Sequence, residues 1–296
     1  MLLATSALYT LYEQLFKSGY IANESLQTAL ELTLALERPL LLEGEAGVGK
    51  TEIAKALASM LDTRLIRLQC YEGLDASSTL YEWNYQRQLL AIKARESTDE
   101  QAKAIEEHIF SEPYLLRRPL LQALSESTSP VLLIDEIDRA DEEFEAYLLE
   151  ILSDFQITIP ELGTIPAKSK PHVILTSNGT RELSDALRRR CLYSWVDYPD
   201  AAREAAIVQL KLPGIDQTLA TQVVDFVQEL RKEDLEKNPG VAETLDWAAA
   251  LLNYRIERLD GDNSKIQSTL ICLLKTANDL QAITAEVSSK LVGKVV

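Results

Sequence analysis

The sequence predicts an α/β fold, a parallel five-stranded sheet flanked by helices, with a smaller all-helical region after it. Three observations lead there. Five short apolar runs, at 39–43, 64–69, 131–135, 173–177 and 192–197, alternate with helical or loop segments, as strands covered on both faces do. The first run leads into a glycine-rich turn that opens a helix. Beyond Tyr198-Pro199 the strand-type runs stop, and helical periodicity continues to the end.

Residues 23–36 place Leu26, Leu30, Thr33 and Leu34 on one face, with Asn23 positioned to cap the first turn, and Arg38-Pro39 ends this helix. A second helix is expected over 50–61. Residues 72–84 carry few aliphatics and mix Gly73, Asp75, Ser77 and Ser78 with Tyr81 and Trp83, the composition of an exposed excursion. Phe155 to Ile159 alternates, and a Gly-containing stretch leads to Ile165, which predicts a β-hairpin before the fourth strand. In the helical region the stripes are Ala205, Val208 and Leu212; Leu219, Val223, Phe226 and Leu230; and Leu245, Ala248, Ala249 and Leu252. A last helix is expected over 264–280. The domains are accordingly an α/β core over 1–199 and a helical domain over 200–296.

Composition narrows the class. Of 296 residues 46% are hydrophobic and 26% charged, with 11 Gly and 10 Pro, which suits a packed globular chain and excludes a disordered one. The 30 basic and 46 acidic residues leave a net charge of −16, which argues against nucleic acid as a partner, although a local basic groove remains compatible with it. Cys70, Cys191 and Cys272 are far apart and odd in number, so no disulfide framework is expected. His108 and His172 lie in no zinc-type cluster. No basic leader or membrane-length apolar run is present, and the expectation is a soluble, cytoplasmic protein without a membrane partner.

Chemistry concentrates at four places. Gly44-Glu45-Ala46-Gly47-Val48-Gly49-Lys50-Thr51 matches G-x-x-x-x-G-K-[ST] between a predicted strand and a predicted helix. In such a P-loop the backbone N–H groups and the helix N-terminus face phosphate oxygens, Lys50 reaches the β/γ-phosphates and the Thr51 hydroxyl binds Mg²⁺. Val131 to Ile134 runs into Asp135 and Glu136. Asp135 would hold Mg²⁺ through its water shell, and Glu136 would orient and deprotonate the attacking water; the alternative is an acidic strand end that simply meets solvent. Asn178 closes the fourth strand, where its amide would lie near the γ-phosphate, or would form an Asx turn with Gly179. Arg188-Arg189-Arg190 is either a solvated helix end or the source of an arginine finger for a neighbouring subunit.

With GEAGVGKT, LLIDEID, the TSN strand end and the RRRC step in this order, the chain resembles an AAA+ ATPase. Residues 132–160, LLIDEIDRADEEFEAYLLEILSDFQITIP, resemble the MoxR family, closest to the CoxD-like branch found beside carbon monoxide dehydrogenase-type molybdenum hydroxylases. The resemblance implies ATP and Mg²⁺ as ligands and a homo-oligomeric ring, usually a hexamer, with ATP at subunit boundaries. It also implies a partner with a von Willebrand A domain and an unidentified client protein. It assigns Lys50 and Thr51 to phosphate and Mg²⁺, Asp135 and Glu136 to Mg²⁺ and water, and Asn178 to the first sensor. Arg190, at the Arg-Cys step of related clamp loaders, is the favoured finger, with Arg189 next. Residues 72–84 fall at the helix-2 insert, where Tyr81 and Trp83 would either grip a substrate or pack the insert onto its own domain. The chain departs from the pattern in the lid: residues 238–254 contain no Arg or Lys for a second sensor, and Glu243 or Thr244 stands near that position. Tyr20 and Ile21 are apolar candidates for contact with adenine.

The function expected on these grounds is an ATP-hydrolysing ring that remodels or matures a client, with a metalloenzyme one candidate. A nucleic-acid motor or clamp-loader-like ATPase is the rival, opposed by the lack of Lys and Arg in 72–84. An assembly switch that binds ATP with incidental turnover is another, opposed by the intact Glu136. No N-K-x-D tetrapeptide supports a GTPase.

Overall fold

In the computed structural model, residues 11–95, 108–261 and 263–296 are described, apart from the side chains of Ala76, Ser77, Arg95 and Asn263. The chain forms two units. One comprises 24–43 and 54–195; the other gathers the stretch ending at Asn23, then 44–53 and 196–296.

The first unit is built on five parallel strands, β1 (Leu40–Glu43), β2 (Leu65–Gln69), β5 (Val131–Asp135), β8 (His172–Ser177) and β9 (Leu192–Trp195), in the order β2-β5-β8-β1-β9. β1 and β5 are buried along their whole length, which is why they read as unbroken aliphatic runs. Registers Glu43↔Ser177 and Gln69↔Asp135 bring the carboxyl ends of β1, β2, β5 and β8 to one edge of the sheet. The strand expected over 192–197 stops at Trp195.

Helices α1 (Glu24–Leu36), α2 (Lys50–Met60), α3 (Ala76–Thr79), α4 (Tyr85–Arg95), α5 (Pro119–Ser125), α6 (Glu142–Asp154) and α7 (Asp185–Arg190) accompany the strands. Phe144, Leu148 and Ile151 of α6 are buried with Leu132 and Ile134 in one core. Asp141 caps α6 by accepting from the Phe144 N–H, and Phe155, at φ 49°, turns the chain into the expected hairpin, β6 (Gln156–Ile159) with β7 (Gly163–Pro166).

Residues 72–84 are less exposed than their composition suggests. β3 (Tyr81–Trp83) pairs antiparallel with β4 (Leu115–Arg117), and Leu74, Leu80 and Trp83 are buried. Trp83 meets Phe110 edge-on at 5.2 Å and Tyr81 at 6.3 Å, so of the two roles open to these aromatics, packing onto their own unit is the one found for Trp83. Burial of so large an apolar ring outweighs the polar residues around it.

The second unit carries α8 (Ala201–Lys211), α9 (Gln217–Leu230), α10 (Val241–Asn253), α11 (Asn263–Thr269), α12 (Ala277–Ala282) and α13 (Ala285–Val295). Its core holds Leu219, Val223, Phe226 and Leu230 of α9 as expected, with Phe226 and Trp247 at 4.8 Å. Two expectations fail here. α10 buries Val241, Thr244, Trp247, Ala248 and Leu251, a face turned about one position from the aliphatic stripe, because Trp247 is its anchor and donates to the Thr269 hydroxyl. The single helix over 264–280 is broken into α11, a 3₁₀ turn (Leu270–Cys272) and α12, and α13 follows. Thr276 and Thr284 each accept from the backbone N–H three residues on, so two new helix starts win over a continuous apolar period.

Candidate active site

The glycine-rich loop belongs to the unit of the helical region. Gly44 lies against the chain at Val196, where a Cβ would stand 2.2 Å from the carbonyl oxygen, while Gly47 and Gly49 adopt φ of 81° and 93°. Only glycine meets both demands without strain. Val48 and Lys50 are buried, and the Lys50 ammonium donates to the carbonyls of Gly44 at 2.6 Å and Glu45 at 2.8 Å, which curls the loop around it. Glu45 and Ala46 are exposed, and Thr51, in the first turn of α2, is half-buried.

The same unit places the start of α10 directly on this loop. The Val241 N–H donates to the Gly47 carbonyl at 2.9 Å, and a Cβ on Gly240 would stand 2.7 Å from both the Cα and the oxygen of Gly47. Glu243 reaches back to accept from the Gly240 N–H at 3.0 Å. Behind it, Thr244 donates to Glu204 at 2.7 Å, and Glu204 takes a two-pronged pair from Arg231 at 2.7 and 2.8 Å. Arg231 lies 4.5 Å over the Tyr198 ring, whose hydroxyl faces the Ala46 carbonyl at 3.5 Å. Burial pushes the Tyr198 hydroxyl up, against the lowering charge of Arg231. Burial also pushes up the Tyr20 hydroxyl, with Arg203 and Glu52 as its charged neighbours, and Ile21 beside it is half-buried.

In the sheet unit, the ends of β5 and β8 hold the carboxylates. Thr176 donates to Asp135 Oδ1 at 2.5 Å and accepts from the Glu136 N–H at 2.9 Å. Glu136 is held at φ 55°, ψ 51°, a left-handed conformation that costs a non-glycine residue on the order of 1–3 kcal/mol. Its carboxylate meets Arg139 at 2.9 Å. Asp138, buried beside it, accepts from the Asn178 N–H at 3.2 Å, the Thr180 N–H at 2.9 Å and the Thr180 hydroxyl at 2.7 Å. Burial raises the Asp138 carboxyl, but these bonds outweigh it and hold it below the ordinary value. Buried Cys70, whose N–H donates to the Asp135 carbonyl, has its thiol pushed up to about 12 by burial and by these carboxylates, so it is no thiolate ligand.

Sequence reading missed three members of this group. Thr176 and Asp138 were hidden because a hydroxyl in a buried strand and a third acid after two functional ones carry no motif of their own. The third is Arg67 on β2, which pairs with Asp135 Oδ2 through Nε at 3.1 Å and a terminal nitrogen at 2.5 Å. Its signal was a cation between Ile66 and Leu68 in the middle of a strand run.

The three arginines of α7 part company. Arg188 faces Glu43 at 3.7 Å. Arg190 is tied to Ser153 and to the Ala186 carbonyl. Arg189 is exposed, its guanidinium without a partner among the described residues, while its carbonyl accepts from Arg38 at 2.8 Å. The hydroxyl of Thr51 and the carboxylate of Asp135 are hard oxygen donors of the kind Mg²⁺ takes. No helix among the described residues is long and apolar enough to cross a membrane.

Comparison with known proteins gives the family. The model of the AAA domain (dynein-related subfamily) matches residues 39–191, just over half of the chain and the whole span from β1 to the arginines. The chain belongs to this AAA family. An uncharacterised protein of Staphylococcus haemolyticus is 27% identical to this AAA protein over 283 residues, covering 91% of the chain and 97% of the relative. An uncharacterised protein of Staphylococcus aureus is 28% identical over 261 residues, covering 84% and 89%. Among solved structures, the Thermotoga maritima RuvB Holliday junction branch migration motor is similar with 19% identity and a TM-score of 0.43, over 83% of the AAA chain and 66% of the motor. The match therefore spans just under two thirds of that motor's length. A mutant of the same RuvB gives 20% identity and a TM-score of 0.47, over 89% and 70%.

Proposed function

We propose that this AAA protein is an Mg²⁺-dependent ATPase of the MoxR type, acting as a homo-oligomeric ring, six-membered by resemblance, that remodels or matures a client protein. The observation that carries the reading is Thr176, one hydroxyl that fixes both Asp135 and Glu136 against the strand leading to Asn178. In this reading the N–H groups from Gly44 to Gly49 and the Lys50 ammonium bind the β- and γ-phosphates, and Tyr20 and Ile21 border the base. Mg²⁺, when bound through Thr51 and Asp135, supplies positive charge that the phosphates need in the transition state. Glu136 orients a water and takes its proton as the water oxygen bonds to the γ-phosphorus and the bond to the bridging oxygen of ADP breaks. Asn178 positions that water.

An arginine of α7 meets the developing charge in a neighbouring subunit's site. Arg190 is the choice by resemblance, and the exposed guanidinium of Arg189 favours Arg189. Residues 200–296 act as the lid domain of the 1–199 core. Lacking a basic second sensor, the lid follows the loop through the Val241–Gly47 bond. The resemblance of 132–160 and membership of the dynein-related family support a MoxR-like client role with a von Willebrand A domain partner. A metalloenzyme client would suit the CoxD-like branch.

The test is steady-state ATP hydrolysis against protein concentration for wild type, Glu136→Gln, Arg189→Ala, Arg190→Ala and equal mixtures of Glu136→Gln with each arginine variant. A shared-site ring gives rates per chain that rise with concentration, inactive single variants, and recovery in the mixture that holds the true finger. Constant rate per chain on dilution, with both arginine variants fully active, would overturn the ring.

A further inference from the structure

We infer that Arg67 is a positioning residue that competes with the metal ion for Asp135, so that metal enters only by displacing a guanidinium. The inference rests on the ATPase reading, in which Asp135 serves Mg²⁺. On β2 the side chains alternate, with Ile66 and Leu68 buried and Arg67 and Gln69 on the opposite face. That face turns Arg67 toward the neighbouring strand's last residue. Its Nε and one terminal nitrogen both reach Asp135 Oδ2, at 3.1 and 2.5 Å, and the same terminal nitrogen donates to Gln69 at 2.6 Å. Thr176 occupies Oδ1. Both carboxylate oxygens thus already have donors, one of them a full cation, and the Asp135 side chain is only 5% exposed.

Exposure separates this pair from a permanent one. Arg231 and Glu204, at 8% and 0%, are sealed in the helical unit, where parting would strand two charges. Arg67 is 49% exposed, so its guanidinium can swing to water at little desolvation cost. The competition is one of position. A metal ion or its water needs the Oδ2 lone pairs that Arg67 holds, and a divalent ion beside a retained guanidinium would be repelled. Asp135 is thereby kept neutralised when metal is absent, and the affinity of the site for metal is set lower than its oxygen donors alone would give. Released from Oδ2, the planar fork would find its best acceptors in phosphate oxygens, so nucleotide and metal should favour each other's binding.

The test follows Mn²⁺ binding by EPR, with and without a non-hydrolysable ATP analogue, in wild type, Arg67→Gln, Arg67→Lys and Asp135→Asn. Removing the charge in Arg67→Gln should tighten Mn²⁺ binding about three- to tenfold without nucleotide, with a smaller gain when the analogue is bound. Arg67→Lys, which keeps the charge, should stay within about twofold of wild type. Arg67→Met serves as the charge-free arm should the glutamine variant fail to fold. Unchanged or weaker Mn²⁺ binding in the charge-free variant overturns the proposal, since simple damage to β2 loosens a site and does not tighten it. If Asp135→Asn keeps wild-type Mn²⁺ affinity, the assignment of Asp135 to the metal fails and this inference goes with it. Loss of binding in Asp135→Asn without tightening in Arg67→Gln removes the Arg67 proposal alone.

Discussion

Glu136 and Asp138 are two residues apart and do different work, and their surroundings say which is which. Glu136 points a partly exposed carboxylate, paired with Arg139, out of a left-handed backbone. Glu136→Gln keeps size and backbone while removing the carboxylate proposed as the base, so ATP analogue binding should stay within about twofold and turnover should fall on the order of 10²-fold or more. Asp138 instead holds the 178–180 loop with three bonds to one oxygen. Its carboxyl sits below its ordinary 3.8, so its contribution is complete above that value and is lost as pH falls through the lower folded-state value. Denaturant titrations from pH 5 to about pH 2.5 should therefore show a steeper acid loss in wild type than in Asp138→Asn, whose amide oxygen still accepts but does not titrate. Identical acid profiles would remove Asp138 as the anchor of Asn178.

Among elements, the start of α10 lies directly on the glycine loop. Gly240 has an ordinary negative φ, so alanine there is not strained in backbone; it is refused by space, with Gly47 2.7 Å and Glu243 2.9 Å from the new Cβ. Gly240→Ala should cost about 1–3 kcal/mol by overpacking and weaken nucleotide binding in parallel, as read by thermal melting with and without ATP analogue. Unchanged melting and binding would show that the loop and helix part easily. α7 teaches a related lesson. Three successive arginines are indistinguishable in sequence, yet the folded chain gives one to Glu43, one to Ser153 and one to solvent, because successive residues on a helix point about 100° apart. The P-loop, β1, β5 and β8 were legible because their apolar runs and glycines answer to local rules. The burial of Trp83 and the break at Thr276 were not, since each depends on what lies across the fold.

At the scale of the whole molecule, the helical unit is organised around a buried charge network. Glu204 takes Arg231, Thr244 and Gln228, and Arg231 also donates to the Pro239 carbonyl at 2.8 Å. Arg231→Met takes the counter-charge from Glu204 in the interior, so urea unfolding should show a loss of about 3–5 kcal/mol, much of it regained in a Glu204→Gln, Arg231→Met double variant. Additive losses would mean that the two act separately. Thiol chemistry reports the packing of each unit: burial pushes Cys70 and Cys191 of the sheet unit up to about 12, whereas Cys272 of the helical unit is half-exposed. Mild alkylation of the native protein should label Cys272 first, with the other two following only on unfolding, as mass spectrometry would show.

The sequence alone determined the alternation of strands and helices, the glycine-rich loop, the acid pair and the change to helical periodicity after Tyr198-Pro199, since each is written in neighbouring residues whose spacing has a local physical meaning. The tertiary structure alone decided that Thr176 joins the two acids, that Arg67 pairs with Asp135 and that Gly240 lies on Gly47. These contacts link residues 40, 41, 68 and 193 positions apart in the chain. No local pattern records such contacts, because what selects them is which side chains the sheet order and the helix packing bring within hydrogen-bonding reach.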